Sequence, residues 1–196
     1  MISNKIATFD HDMKRFLNIL VAFMALLANT ACSVMENSED VPSYEKATMV
    51  RAGDLAPDFS VNLLNGSTVT LSHLQGKTVL LVFFDSTCPD CQAQLALLDG
   101  VAADFGGKKF EILAISRGEK RDVVREYIER MGYKFNVGVD PKAEIYSMYA
   151  THYVPRCFVI DSLGRIVARS AEYDSAEFEL IVKIINSLLT LSSPGK

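Results

Sequence analysis

Cys88-Pro89-Asp90-Cys91 sets two thiols two residues apart. Thiols at that spacing can exchange with disulfides. A thiolate attacks a disulfide sulfur, and a second thiol within reach attacks the mixed disulfide, closing a small ring and releasing the substrate. The same spacing serves zinc, covalent haem and inert structural bridges. Zinc needs a second ligand pair, and Cys157, His152 and His73 are scattered along the chain. Covalent haem needs a His directly after the second Cys, where Gln92 stands. A structural bridge stays open as an alternative, because an exported chain oxidises readily.

The neighbouring elements decide what such a pair can do. Thr78 to Phe84 (TVLLVFF) is apolar without alternation, which predicts a central strand buried on both faces. Pro89 suits the first turn of a helix running to about Phe105, with Leu95, Leu98, Ala102 and Phe105 on one face and Gly106-Gly107 stopping it. The thiols therefore fall at a strand-to-helix junction. A helix N-terminus carries about half a positive charge and free amide donors, which favour a thiolate at the first cysteine. Cys88 is the expected nucleophile and Cys91 the resolving thiol.

The rest of the body alternates in kind. Short strands are expected at Phe59 to Leu63 and Val69 to Leu71 around the turn Asn65-Gly66, then strands at Phe110 to Ser116 and Asn136 to Val139. Helices are expected at Asp122 to Met131 and Pro141 to Tyr149, followed by a hairpin of Arg156 to Asp161 with Ile166 to Ser170 and a closing helix from Ser175 to Leu191. This is an α/β pattern. With 196 residues, 49% apolar, 22% charged and only 6 Pro, the chain has the composition of one globular domain with appendages. A net charge of -4 with no basic block excludes nucleic acid as the expected partner. Four cysteines are too few for a disulfide-stapled mini-domain.

The N-terminus reads as an export signal. Leu17 to Ala28 is apolar except for Asn18, follows Met13-Lys14-Arg15 and precedes small residues. Those residues span roughly 18 Å as a helix, short of the ~30 Å hydrocarbon core of a membrane. Asp10 and Asp12 do not suit the basic start of a signal, so translation is expected to begin at Met13. Thr30-Ala31-Cys32 resembles the lipobox of bacterial lipoproteins, with Asn29 where a Leu-like residue is usual. The expected organisation is a signal peptide over 1–31, a flexible tether over 32–52 lipidated at Cys32, and a folded domain over 53–192. An ordinary signal peptide would instead leave Cys32 as a free thiol.

Strand, CxxC, helix and then Val154-Pro155-Arg156-Cys157-Phe158-Val159-Ile160-Asp161 together resemble a thioredoxin-fold protein. Ala56-Pro57-Asp58-Phe59, Leu71-Ser72-His73-Leu74-Gln75-Gly76-Lys77 and Asp161-Ser162-Leu163-Gly164-Arg165-Ile166 narrow the likeness to the membrane-tethered TlpA/ResA-type thiol-disulfide oxidoreductases of the AhpC/TSA-Redoxin superfamily. The resemblance implies a thioredoxin-like fold, a central mixed β-sheet flanked by helices. It implies an extracytoplasmic oxidoreductase without a cofactor, acting as a reductant on cysteines of envelope proteins and fed by a membrane electron donor. It also makes Pro155 the cis-proline facing the thiols, with the Val154 backbone pairing to an extended substrate segment.

Four positions depart from that pattern. Thr87 replaces the usual Trp, Gln94 an acidic residue, Ala96 a helix-kinking Pro, and Val82 the buried Asp of cytoplasmic thioredoxins. Proton transfer to Cys91 then falls to Asp85 or Asp90, although a carboxylate beside Cys88 opposes the helix dipole and moves the couple toward a poorer oxidant. Cys157 is expected to be a buried core residue, with a third reactive thiol as the alternative. Two other functions compete. A thiol peroxidase of the related type wants Thr or Ser where Asp85 stands, and a non-catalytic envelope module could hold a partner protein or Cu(I) between the soft thiolates.

Overall fold

Thr78–Phe84, the uninterrupted apolar run, is a strand whose side chains are buried on both faces along its whole length. The computed structural model describes residues 41–191; the expected signal segment 1–31 and the expected lipidation site Cys32 lie outside the described residues. In chain order the elements are helix α1 (Tyr44–Ala47), strands β1 (Ser60–Asn62) and β2 (Thr68–Thr70), a 3-10 turn at Leu71–Leu74, strand β3 (Thr78–Phe84), helix α2 (Pro89–Asp104), strand β4 (Phe110–Arg117), helix α3 (Arg121–Met131), strand β5 (Asn136–Asp140), helix α4 (Glu144–Tyr149), strands β6 (Arg156–Ile160) and β7 (Ile166–Ala171), and helix α5 (Ser175–Leu191).

The central sheet has the order β5-β4-β3-β6-β7, and β1 with β2 forms a separate hairpin. β3 pairs parallel to β4 and antiparallel to β6, β4 parallel to β5, and β6 antiparallel to β7. This is the mixed, helix-flanked sheet that the resemblance implies. Strand periodicity of two splits β3 between two cores. Leu80, Val82 and Phe84 meet Leu95 and Leu98 of α2 and Phe178, Ile181 and Ile185 of α5. Val79, Leu81 and Phe83 meet Phe59, Val61, Tyr146 and Tyr149. Each fully buried side chain of this size stabilises the fold by about 1.5–3 kcal/mol, so β3 is the most strongly held strand.

Helix ends follow their local chemistry. Gly132 closes α3 in the left-handed region, where its amide reaches the Ile128 and Glu129 carbonyls. The helix expected from Pro141 starts later, at Glu144. The buried Asp140 carboxylate explains the delay, because it accepts from the Glu144 amide at 2.9 Å and the Tyr146 amide at 2.9 Å and so caps the helix from a turn.

The tether expected over 32–52 does not run to the edge of the domain. Residues from Pro42 onward belong to the same unit as the body. Within them Ala47 and Val50 are buried, the Met49 amide donates to the Tyr149 carbonyl at 3.0 Å, and Thr48 bridges Ala150. A four-residue helix is too short to show periodicity, and contacts with distant residues hold it instead.

Gly138 of β5 faces the β1 hairpin so closely that an added Cβ would sit 2.6 Å from Val61 Cγ2. Gly138→Ala is expected to destabilise the protein by about 1–3 kcal/mol through overpacking, read as a lower urea midpoint at unchanged slope.

Candidate functional site

The chain leaves the end of β3 through Asp85, Ser86 and Thr87 and enters α2 with Cys88 as its N-cap and Pro89 in the first turn. Cys88 is half-buried, whereas Cys91, one turn further on, is fully enclosed in the core beneath β3. Both are free thiols. The Cys88 thiol donates to the Val154 carbonyl at 3.7 Å. The Cys91 sulfur accepts from the Asp85 backbone amide at 3.4 Å. Burial, the largest cause, with the neighbouring Cys88 thiol adding to it, holds the Cys91 thiol far above its ordinary range, so it remains protonated. The two sulfurs thus differ in exposure and in partners although one helical turn carries both.

Val154-Pro155 is a cis peptide bond, and the loop bearing it faces the thiols. The residues singled out in the sequence divide here into two groups. Cys88, Cys91, Val154 and Pro155 come together. Asp90 projects to solvent from the first turn of α2. The Asp85 carboxylate turns back on its own loop, accepting from the Thr87 amide at 2.8 Å and the Thr87 hydroxyl at 2.6 Å, so the Asp85 backbone rather than its side chain meets Cys91. Thr87 itself is exposed.

Gln94 is 1% exposed and donates through Nε2 to the Cys157 sulfur at 3.2 Å, while its Oε1 is buried without a hydrogen-bond partner among the described residues. Cys157 is fully buried beside Val82 across the β3–β6 ladder. Burial pushes its thiol up from 9.0 to about 12, partly offset by hydrogen bonds from Ser170 and Gln94.

Glu119 was not legible as part of this site. Its carboxylate accepts from the Ser86 amide at 2.9 Å, from the Ser86 hydroxyl and from the Ser116 hydroxyl at 2.6 Å. Gln92 holds the same residue from the helix side, its Nε2 donating to the Ser86 carbonyl at 2.8 Å. The loop that presents Cys88 is therefore suspended between α2 and the segment after β4. Parallel pairing of Phe84 with Ser116 is what brings Glu119 there, a juxtaposition that no local pattern in the sequence signals.

The model of the AhpC/TSA family matches residues 52–169. The chain belongs to the AhpC/TSA family. Within that family it is of the TlpA/ResA type, with the fold of the thioredoxin-like disulfide oxidoreductases. The thiol-disulfide oxidoreductase ResA of Geobacillus thermodenitrificans is 27% identical over 146 residues, covering 74% of this chain and 81% of that protein. The ResA of Oceanobacillus iheyensis is 29% identical over 167 residues, covering 83% and 84%. Among solved structures, a candidate protein disulfide isomerase from Bacteroides thetaiotaomicron superposes with a TM-score of 0.70 at 32% identity, over 74% of this chain and 93% of the other. A candidate thiol:disulfide interchange protein DsbE from Chlorobium tepidum gives 0.68 at 26%, over 71% and 99%.

Two measurements test this geometry. A thiol whose pKa is raised by folding stays protonated in the native state while its unfolded counterpart ionises. Its contribution is intact below pH 9.0 and is lost between there and about 12 for Cys157. Over that window Cys157→Ala is expected to flatten the fall of stability with pH by up to about 1.4 kcal/mol per pH unit, read from urea titrations at each pH. Glu119→Ala leaves the Ser86 amide without its acceptor and is expected to cost about 1–3 kcal/mol and to speed alkylation of Cys91. Glu119→Gln should recover part of both.

Proposed function

We propose that Cys88 and Cys91 form the redox couple of an extracytoplasmic oxidoreductase that reduces disulfides in envelope proteins. The observation that carries this reading is the contrast between the two thiols. One is half-exposed at a helix N-terminus, and the other is fully buried in the core one turn away. A helix N-terminus stabilises the thiolate that attacks, and burial keeps the second sulfur from competing for the substrate.

The exchange balances in two steps. The Cys88 thiolate attacks one sulfur of a substrate disulfide; the Cys88-substrate bond forms, the substrate S–S bond breaks, and the departing thiolate takes a proton. Cys91 then gives up its proton and attacks Cys88, the mixed disulfide breaks, and the second substrate thiol leaves. The substrate gains two electrons and two protons, and the chain is left with a Cys88–Cys91 disulfide. A membrane electron donor would return the couple to the dithiol. In this reading Val154 and Pro155 face the incoming polypeptide, Asp85 and Thr87 shape the loop, Pro89 starts the helix, and Asp90 lowers the oxidising power of the couple from the first turn. The segment 1–31 serves export, and Cys32 carries a lipid that holds the domain at a membrane.

Reduction potentials within the thioredoxin fold run from about -270 mV in a reductant to about -120 mV in an oxidant, so direction is a measurable property of this site. Equilibration of the full chain in graded thiol buffers is expected to give a value below about -250 mV; one above about -180 mV would make it an oxidant or isomerase. Cys91→Ala is expected to accumulate mixed disulfides through Cys88, seen by mass after acid quenching. Trapping through Cys157, or none at all, would remove the assigned roles.

A further inference from the structure

The loop facing the thiols is held from outside by the first described residues of the domain. Where α4 gives way to the loop, the Met49 amide donates to the Tyr149 carbonyl at 3.0 Å and the Thr151 amide donates to the Ala47 carbonyl at 2.8 Å. Further along, the Tyr153 hydroxyl donates to the Pro42 carbonyl at 2.7 Å, and the Tyr44 ring meets the Tyr153 ring edge-on at 4.5 Å. Tyr44 is itself tied down, its hydroxyl donating to Glu172. Arg156, just past Pro155, is buried and donates through Nη1 to the Thr48 hydroxyl at 2.6 Å. Among the described residues no carboxylate lies within ion-pair distance of that guanidinium, and the His152 carbonyl and the Thr48 hydroxyl accept its hydrogen bonds.

The carbonyls of the loop show what this holding achieves. His152 O accepts from Arg156 Nε at 3.1 Å and Nη2 at 2.9 Å, Tyr153 O from the Tyr146 hydroxyl at 2.6 Å, and Pro155 O from the Glu172 amide at 2.8 Å. The carbonyl between them, Val154 O, is the one aimed at the Cys88 thiol. Tyr153 occupies the left-handed region at φ 73°, a conformation that a bulky side chain keeps only where its surroundings impose it. Pro42 and Tyr44 supply those surroundings on one side and Arg156, through Thr48, on the other.

We infer that residues 42–48 are a brace that pre-orders the loop 151–155 for docking of a polypeptide next to Cys88, while leaving the chemistry of Cys88 untouched. Tyr44 and Thr48 are its positioning residues. The inference rests on the oxidoreductase reading above and adds to it a requirement for protein substrates only. A loosened loop must be ordered when a polypeptide binds, at about 1–2 kcal/mol per residue, whereas a small disulfide needs only the sulfur.

The test compares two disulfides on the full chain: insulin, which must lie along the loop, and DTNB, which need not. For Tyr44→Ala and for Thr48→Val, KM for insulin is expected to rise about three- to thirtyfold at little changed kcat. The DTNB rate and the equilibrium constant of the Cys88/Cys91 couple against a reference dithiol should each stay within about twofold of wild type. Thr48→Ser, which keeps the hydroxyl, should restore the insulin KM, and it serves as the decisive pair with Thr48→Val if Tyr44→Ala fails to fold. Equal losses on insulin and DTNB, or unchanged kinetics on both, would overturn the brace while leaving the oxidoreductase reading intact. A wild-type chain that turns over neither disulfide would overturn both.

Discussion

Burial of Cys91 is the constraint on which the arrangement of this protein turns. Its sulfur sits in the core under β3, with the Asp85 amide as a hydrogen-bond partner, and it can be there only because α2 packs flat against the sheet through Leu95 and Leu98. That packing fixes where the helix begins. Cys88 must then stand at the N-cap, on the rim of the sheet, one turn above its partner. A low-dielectric interior disfavours the charged form of the inner thiol, while the outer one stands half-exposed at the helix end, so the same helix sorts the pair.

The strand order extends this constraint to the other parts of the site. β3 is central, so both of its neighbours deliver residues to the end where α2 starts. Parallel β4 finishes on that side and its continuation carries Glu119 to Ser86. Antiparallel β6 begins on that side, which puts Val154 and Pro155 opposite Cys88. The site is therefore assembled from three segments distant in sequence, each held by hydrogen bonds to a carboxylate, a guanidinium or a backbone carbonyl. At the position where the resembled family has an acidic residue, Gln94 turns to Cys157 and keeps a buried oxygen without a partner among the described residues. The polar group survives in the core, but its hydrogen bond is made to the third thiol.

Much of this was legible in the residues. The run Thr78 to Phe84 has the pattern of a strand buried on both faces, Pro89 suits the first turn of the helical pattern that follows, and Cys88 and Cys91 flank that proline at the helix start. Those are local requirements that each segment imposes wherever it is placed, which is why the strand, the helix and the candidate pair at their junction could be read before any fold was known. Cys157, flanked by Phe158 and Val159, was legible as core for the same reason.

Tertiary structure alone decided the partnerships. Glu119 meets Ser86 across 33 positions and Arg156 meets Thr48 across 108. No periodicity encodes such pairs, because a charged or polar side chain satisfies its hydrogen bonds with whatever group the fold brings near. Residues 42–50 show the difference plainly: as sequence they are polar and irregular, and as structure they are part of the domain, since their order comes from Ala47, Val50 and distant loop carbonyls rather than from any preference of their own. The sequence by itself determined which atoms could exchange electrons and which elements would carry them. The packing of those elements decided which thiol is exposed, which is buried, and what holds the loop that faces them.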